Sequence, residues 1–427
     1  MNRTVRTALM ILLSFCLHPV WAAAVIGEEG ARHLLGRAGF GASDTQIHDW
    51  ARLTRHQAVD RLLLMQASIP TVPVPANLLV YERRQNPNDL SPADFKAWTK
   101  KQREAGVAMR AWWVGEMAAA GTPERQLRER MVLFWHNHFV SSNQKVRSTA
   151  LMLQQNQLLR THALGNFGAL LHAVAKDPAM VIYLDSASNR KGSPNENFAR
   201  EVMELFTLGE GRYSETDIKE AARAFTGWSI DRDTGEFRWR AFQHDDGVKT
   251  VLGKAGRLDG DAVLDILLAQ PATAEFIAAK LWREFVSPMP TAAGLLPVAR
   301  ALRESGYDVR EALRALLSSE EFWAKENRQA LIKSPVDLLL GTVHAYDIPI
   351  PDGRVVAMAL REMGQDLFVP PNVRGWPGCE HWVNSSSLLA RKSVLERLLG
   401  TAAIRRLSES ERVAVRSELL DSHYQVK

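Results

Sequence analysis

Cysteine is scarce in this chain of 427 residues, which contains only two, Cys16 and Cys379. Two cysteines cannot form the disulfide framework of a small secreted domain. Long apolar runs are also missing: residues 8–17 form a run of ten, about half of the ~20 needed to span a bilayer, and no later stretch is apolar enough. The sequence therefore excludes a disulfide-rich miniprotein and a multi-span membrane protein.

An excess of one charge is missing too. The 53 Lys and Arg residues nearly balance 48 Asp and Glu residues, and no basic tract of the kind that binds nucleic acid is present. Nucleic acid is therefore not an expected partner. Common catalytic signatures are absent as well, among them HExxH, GxSxG, the P-loop pattern, CxxC and the ExxH pair of di-iron bundles. No reaction can be read directly from a motif.

The N-terminus is typical of a secretory signal peptide. Arg3 and Arg6 precede the apolar run, and three alanines at 22–24 provide a cleavage site with small residues. We expect residues 1–24 to be removed and the mature chain to be exported to the periplasm or secreted, without a transmembrane segment. Bulky Phe15 before Cys16 argues against a lipoprotein signal, so Cys379 would be the one remaining thiol.

Helical periodicity and start signals dominate the rest of the chain. Ser43, Ser91-Pro92 and Thr122-Pro123 are typical N-terminal capping positions. Helices are predicted at 44–65, 92–120, 125–139, 147–163, 167–176, 195–208, 215–226, 271–286, 308–323, 334–347, 352–362 and 386–399. The predicted fold class is mainly α, a large multi-helix body.

Two segments interrupt this helical pattern. Alternating apolar residues around the turn at 233–235 predict a small β-hairpin insertion near 228–252. Residues 369–386 form an irregular loop rich in Pro, Gly and Trp. No linker divides the chain clearly. A break near 290 would separate a main lobe, 25–290, from a C-terminal helical lobe, 291–427, which we expect to pack against it as one unit.

The first candidate cluster is the pair His136 and His138. Two histidines at i and i+2 diverge on a helix but converge in an extended segment. If the helix ends near Trp135, both imidazoles can bind one metal ion. The alternative is that one histidine caps the helix C-terminus while the other packs in the core.

The second cluster places Asn197, Glu201 and Glu204 on one face of a helix that is otherwise apolar. Two neighbouring carboxylates can ligate a cation or divide into a general acid and a general base. Arg200 and Arg223 are candidate substrate-binding residues nearby. The alternative is a solvated face, or ion pairs between the carboxylates and these arginines.

The third cluster is His244 and Asp245, a compact set of nitrogen and oxygen ligands on the exit from the hairpin. Its alternative is turn chemistry, because an Asp-Asp-Gly sequence suits a turn. In the loop at 369–386, Trp376 and Asn384 combine an aromatic ring with an amide, as in sites that bind sugars or polymers. Tryptophans in such a loop can equally anchor it to the core.

Six stretches in order along the chain resemble the bacterial domain-of-unknown-function family numbered 1800, from about residue 30 to 400. They are ARHLLGRAGFGAS at 31–43, FWHNHF at 134–139, NENFAREVMELFTLGEG at 195–211, EAARAFTGW at 220–228, HDDGVKTVLG at 244–253 and LFVPPNVRGWPG at 367–378. The resemblance implies an exported, largely helical protein without an established reaction. It also implies a neighbouring gene for a second exported protein similar to sulfatases and alkaline phosphatases. Cys379 stands where the family more usually has glycine.

Two functions are therefore predicted. In the first, the protein is a periplasmic metal-assisted hydrolase or related enzyme: His136, His138, His244 and Asp245 bind a divalent cation, and Glu201, Glu204 and Asn197 act in catalysis. In the second, it is a non-catalytic binding or assembly partner of the co-encoded sulfatase-like protein, or of a polysaccharide or other cell-surface polymer. The tryptophan-rich loop would then be the binding surface. Burial of Trp376 and Trp382 would count against this second function.

Overall fold

A computed structural model describes residues 24–64, 69–83, 90–350 and 352–427. The predicted signal peptide, 1–24, lies outside these residues except for Ala24. The N-terminal helices that lead to the centre of the molecule are α1 (Gly27–Ala38), α2 (Asp44–Trp50), α3 (Arg55–Leu62), α4 (Pro92–Ala118) and α5 (Pro123–His138).

A second group of helices surrounds the end of α5. Its members are α6 (Asn143–Val146), α7 (Thr149–His162), α8 (Phe167–Ala175), α9 (Pro178–Tyr183), α10 (Asn197–Glu201) and α11 (Glu215–Ala224). Directly after α10 the chain widens into a π-helix, Val202–Thr207. The predicted helix at 195–208 is thus present, with a change of helix type in its middle.

The β insertion consists of two antiparallel hairpins. Strand β1 (Trp228–Ile230) pairs with β2 (Phe237–Trp239), with Trp228 opposite Trp239. Strand β3 (Lys249–Val251) pairs with β4 (Lys254–Gly256), with Lys249 opposite Gly256. The mainly α fold with a small β insertion is confirmed, and the insertion extends a few residues beyond 252.

The C-terminal part is again helical. It contains α12 (Gly260–Ala269), α13 (Pro271–Phe285), α14 (Ala292–Glu304), α15 (Val309–Ser318), α16 (Glu320–Trp323), α17 (Pro335–Ala345), α18 (Gly353–Glu362), α19 (Ser385–Leu399), α20 (Ala402–Arg405) and α21 (Glu409–Leu420). The irregular loop predicted at 369–386 contains a short 3-10 helix, Cys379–Trp382, and its last two residues begin α19.

Local capping chemistry explains most helix starts. The hydroxyls of Ser91 and Thr122 accept hydrogen bonds from the backbone of α4 and α5, each with proline in the first turn. The prediction of one helix over 44–65 is wrong, because Thr54 begins a new helix. Its side chain and that of Gln57 form a capping box, which separates α2 from α3.

Helix α5 is buried on nearly its whole circumference, so its charged side chains need internal partners. Arg160 of α7 donates two hydrogen bonds of 2.8 Å to the carboxylate of Glu129. Arg130 pairs with Glu284 at 2.7 Å and also with Asp337. These contacts fix α5 in register against α7, α13 and α17.

The buried apolar side chains of the described residues form one continuous cluster from Ala31 to Leu419. The cluster includes Leu281 before, and Val298 after, the proposed break near 290; the division into 25–290 and 291–427 itself stays a prediction. Among the described residues, no single helix could cross a membrane. Helices α12 and α13, bent by 74°, reach the required length and apolarity only as a pair.

Candidate functional site

The C-terminal end of α5 carries the two histidines of the first cluster. The helix does not end near Trp135 but continues through His138, where the Phe139 amide still donates to the Trp135 carbonyl at 2.7 Å. Side chains at i and i+2 of a helix diverge. The two imidazoles therefore lie in different surroundings, and the condition for their convergence on one metal ion is not met.

His136 lies in an aromatic box. Its ring centroid is 5.3 Å from that of Trp113, 5.5 Å from Phe368 and 5.8 Å from Trp376. The side chain is buried, and Nε2 has no hydrogen-bond partner among the described residues. Burial lowers the pKa of His136 to about 4. At neutral pH this imidazole is uncharged.

His138 is also buried, but both of its nitrogens have polar neighbours. Nε2 lies 3.2 Å from the carbonyl oxygen of Phe206, and Nδ1 lies 3.0 Å from Nζ of Lys280. Because a carbonyl only accepts, these partners assign the proton to Nε2 and leave Nδ1 to accept from Lys280. Burial and then the Lys280 charge hold the pKa of His138 well below its usual value.

Lys280 of α13 is the basic group at the centre of this arrangement. Nζ donates to His138 and lies 3.4 Å from the carbonyl oxygen of Leu205. Within the described parts of the chain, no carboxylate lies in hydrogen-bond reach of it. Burial and then the neighbouring Arg283 lower the pKa of Lys280 to about 8.

The π-helix supplies the carbonyl groups for both residues. Its wider turns are closed by a bond from the Leu208 amide to the Met203 carbonyl at 2.8 Å and by the Thr207 hydroxyl, which donates to the Val202 carbonyl. The carbonyls of Leu205 and Phe206 bind Lys280 and His138. Single π turns are frequent at functional sites, and here one positions an imidazole and an amine.

Lys280 and His138 line a cleft of about 320 Å³. The cleft lies between the end of α5, α13 and the loop at 369–386. Its apolar walls include Phe134, Trp376 and Trp382. Its charged lining residues are Arg130, Lys280, Arg283, Glu284, Asp337, Arg374 and Lys427.

Five of these seven charged residues are cations, and three of the five are already paired. Arg130 contacts Glu284 and Asp337, and Lys427 donates to Asp337 at 2.8 Å. Arg374 binds carboxylates outside the cleft. Lys280 and Arg283 remain without an acidic partner among the residues described, so the cleft has an excess of positive charge.

The loop at 369–386 is attached to α5 by Asn137, which lies between the two histidines. The Asn137 side chain accepts from the Trp376 amide at 2.7 Å and donates to the Trp376 carbonyl at 3.2 Å. Gly375 approaches so closely, at φ 81°, that a Cβ there would collide with Asn137. This attachment holds one wall of the cleft in place.

The second predicted cluster adjoins the first through the π-helix. Glu204 accepts from Arg374 at 2.7 Å and from the Tyr213 hydroxyl at 3.1 Å. Glu201 forms no side-chain hydrogen bond within the described residues, and burial and then Glu204 raise its pKa. Arg374, which also pairs with Glu210, therefore connects this carboxylate pair to the cleft.

The other members of that cluster are occupied by structural contacts. The Asn197 amide donates to the Leu184 carbonyl at 3.2 Å. Arg200 donates two bonds of 2.8 Å to Glu215 and one to Glu196. Arg200 is therefore engaged in ion pairs, but with Glu215 and Glu196 and not with Glu201 or Glu204, the carboxylates that the ion-pair alternative named.

The third cluster forms a separate network. Asp245 accepts from Nε of Arg223 at 2.8 Å and from the Gly247 amide at 2.9 Å, and these bonds lower its pKa to about 2. His244 lies 2.9 Å from the Thr226 carbonyl. Neither residue contacts His136 or His138, and Asp245 closes a turn as its alternative predicts.

The loop side chains proposed for substrate binding are also engaged. Trp376 and Trp382 are only 5% and 8% exposed. Asn384 caps α19, where its side chain accepts from the Ser387 amide at 2.9 Å. With both tryptophans buried, their rings line the cleft instead of forming an external surface.

The predicted divalent cation finds no suitable set of ligands at these positions. Lys280 faces the only accepting nitrogen of His138, and Arg223 occupies Asp245. The free nitrogen of His136 is enclosed by aromatic rings. Over the described ranges, no three His, Cys, Asp or Glu side chains gather as a metal site would require.

A larger cavity of about 910 Å³ lies beyond Asp337 and Lys427, which line both spaces. Its cations are mostly in contact with neighbours: Arg32 pairs with Asp44, Arg328 with Glu29, and Lys333 lies 3.7 Å from the ring centroid of Tyr424. The smaller cleft is the better candidate, since Lys280 and Arg283, three residues apart on α13, both line it without an acidic partner among the described residues.

Lys280 and Arg283 were not among the residues predicted from the sequence. A lysine on an amphipathic helix is usually solvated, and no motif marks it. One signal was available: Lys280 follows Phe276 by four residues and precedes Leu281, so it lies beside the apolar stripe of α13.

A family model described as protein of unknown function (DUF1800) matches residues 33–425. This match confirms the resemblance seen in the six sequence stretches. No curated protein and no solved structure matches the chain.

Proposed function

The chain belongs to the DUF1800 family of unknown function, and we propose that it is an exported enzyme that binds a small anionic substrate in the basic cleft. The Lys280 amine acts on that substrate. Export is part of the proposal and is supported by the predicted signal peptide. The observation that carries the enzyme proposal is the pair Lys280 and Arg283, two cations of one cleft without acidic partners among the described residues.

Charge and enclosure support binding of an anion. A carboxylate, phosphate or sulfate group would pair with Lys280 and Arg283 while its remainder contacts Phe134, Trp376 and Trp382. Partial exclusion of water by these rings strengthens such a pair. A volume of about 320 Å³ suits a small molecule rather than a polymer.

Proton transfer is the chemistry that Lys280 can supply. With a pKa of about 8, roughly a tenth of the amine is neutral at pH 7, against about one part in 2,500 for an ordinary lysine. The neutral amine can take a proton and the ammonium can return it. This retains the predicted class, a hydrolase or related enzyme. It leaves out metal assistance, because the donor groups do not fit a cation.

The alternative function is that of a binding partner of a sulfatase-like exported protein or of a cell-surface polymer. It requires that the tryptophans of the loop form an external surface. Trp376 and Trp382 are instead buried against the cleft. The alternative stays a prediction without a supporting side chain in that loop.

The proposal is tested by titrating the ¹⁵N-labelled mature chain, from Val25 onward, with inorganic phosphate and with acetate. We expect saturable shifts of the Trp376 and Trp382 indole signals. Lys280→Met and Arg283→Met should each weaken binding by about tenfold, the worth of one charge-assisted hydrogen bond. Lys254→Met, a change of an exposed lysine on β4, is the matched control and should bind normally. Equal affinity in Lys280→Met and the unaltered chain would refute the proposal.

A further inference from the structure

The Lys280 amine is held in one orientation. Two of its hydrogen-bonding directions are taken by Nδ1 of His138 at 3.0 Å and by the Leu205 carbonyl at 3.4 Å. The residue lines the cleft, and Nζ also lies 5.1 Å from the centroid of the Phe276 ring. An amine fixed in this way loses little conformational freedom when it reacts.

The surroundings of Lys280 are those of a nucleophile rather than of a structural ion pair. No carboxylate of the described chain neutralises it, a second cation, Arg283, lies nearby, and aromatic walls enclose the space. Desolvation and a neighbouring cation are the two conditions that activate a lysine for attack on a carbonyl carbon. The lowered pKa of about 8 agrees with this arrangement.

We infer that Lys280 forms an imine with a small oxo acid, an aldehyde or ketone whose carboxylate pairs with Arg283. This inference rests on the proposed function, because the anionic group must first be bound in the cleft. It names the substrate class: a molecule that carries a carbonyl group and a carboxylate within a few bonds of each other.

The reaction needs no reactant beyond the amine and the carbonyl compound. Neutral Nζ adds to the carbonyl carbon, and the C=O π electrons move to oxygen. The nitrogen then loses one proton and the oxygen gains one, which gives a carbinolamine. Loss of its hydroxyl as water, together with the second nitrogen proton, leaves the C=N bond. Hydrolysis by the reverse steps restores the lysine.

His138 acts as a positioning residue in this scheme. Because Nε2 donates to the Phe206 carbonyl, Nδ1 presents a lone pair to Lys280 and can hold the proton that nitrogen loses. Its strongly lowered pKa makes that protonated state short-lived, so the proton is passed on to the departing oxygen. The π-helix carbonyl thus determines which nitrogen faces the amine.

Reductive trapping tests the inference directly. The mature chain is incubated at pH 7 with glyoxylate and sodium cyanoborohydride, which reduces an imine to a stable secondary amine, and modified lysines are located by peptide mass spectrometry. We expect Lys280 to acquire a carboxymethyl group at least about tenfold faster than the exposed Lys254 and Lys325, because more of it is neutral. Propanal, which has no carboxylate, serves as the second probe.

Two variants separate the outcomes. Lys280→Arg keeps the charge and should still shift the tryptophan signals with phosphate, but it should abolish trapping at this position. Arg283→Met should slow trapping by glyoxylate more than trapping by propanal, because it removes the partner of the carboxylate as well as the charge that lowers the pKa of Lys280. Trapping of Lys280 no faster than Lys254, with phosphate binding intact, overturns the imine and leaves the proposed function standing. Loss of phosphate binding as well overturns both.

Discussion

Nζ of Lys280 donates a hydrogen bond to Nδ1 of His138 across 3.0 Å, so a cation faces a neutral imidazole inside the fold. The relationship depends on the Phe206 carbonyl, which fixes the proton on the other ring nitrogen. It joins α5, α13 and the π-helix at the floor of one cleft. It also makes His138 a poor ligand for a metal ion, because its accepting nitrogen is taken by an ammonium.

Replacing His138 should lower the pKa of Lys280. His138→Leu removes the acceptor that stabilises the ammonium, so the pKa of Lys280 should fall further, by about one unit, the equivalent of one hydrogen bond to a charged group. Side-chain NMR titration of Lys280 measures this. His136→Leu is the matched control, equally buried on the same helix but without contact to Lys280. An equal fall in both variants would show a general loss of packing instead.

The burial of His136 predicts a loss of stability in acid. Its pKa is about 4 in the folded chain against about 6.5 when unfolded, so the unfolded state binds more protons between these values. The free energy of unfolding is therefore unaffected above pH 7 and decreases as pH falls from about 6.5 to 4. The loss from this residue amounts to about 3 kcal/mol.

Urea unfolding at pH 7, 5.5 and 4 measures this dependence. The slope of unfolding free energy against pH should be shallower in His136→Phe than in the unaltered chain. The slope is read within each variant, so a packing cost that is constant with pH does not affect it. An unaltered slope in His136→Phe would mean that His136 does not titrate as its burial requires.

The contact between Asn137 and Trp376 predicts that α5 holds one wall of the cleft in place. Asn137→Asp keeps the acceptor for the Trp376 amide but loses the donor to its carbonyl, which should cost about 1–3 kcal/mol. Gly375→Ala should be at least as harmful, because its Cβ would collide with Asn137 at a positive φ. Hydrogen exchange at residues 374–378 should accelerate in both, whereas Gly364→Ala, at an open position, should leave it unchanged.

The position of Arg374 beside the second cluster leads to a prediction for the pKa of Glu201. Arg374 lowers the pKa of Glu201, against the effects of burial and Glu204. Arg374→Met should therefore raise the pKa of Glu201 further, and carboxyl ¹³C NMR would detect the shift. Arg397→Met, which alters an exposed arginine paired with Glu362, is the control. A fall in the pKa of Glu201 would contradict this description of the cluster.

The contacts of the predicted metal ligands lead to a test of metal content. With Lys280 on His138 and Arg223 on Asp245, we expect less than one equivalent of bound divalent metal in residues 25–427 purified without a histidine tag. Elemental mass spectrometry measures it before and after dialysis against zinc or manganese. One full equivalent that is lost in both His136→Ala and His138→Ala would restore the shared metal site predicted from the sequence.

Local signals made much of the fold predictable. Ser91-Pro92 and Thr122-Pro123 marked the starts of α4 and α5 because capping is a property of adjacent residues. The break at Thr54 was missed because a capping box inside an amphipathic run resembles an exposed polar face. The change from α10 to a π-helix follows from bonds such as Thr207 to Val202, which no periodicity reveals.

The candidate site was predictable only in part. The six stretches include His138, Glu204 and the loop containing Trp376, which the structure connects through the Phe206 carbonyl and Arg374. They also suggested His244 and Asp245, which form a separate turn. Lys280 could not be selected, since its burial and its lack of an acidic partner depend on α5 and the π-helix, both distant in sequence.

The pKa of the Lys280 side chain is the most direct test of the account. It can be measured by NMR in residues 25–427 with selectively ¹³C,¹⁵N-labelled lysine, with Lys280→Arg used to assign the signal. We predict a value near 8, which rises when phosphate is present because a bound anion favours the ammonium. A value of about 10.4, that of a solvated lysine, without response to phosphate would contradict both the basic cleft and the chemistry proposed for it.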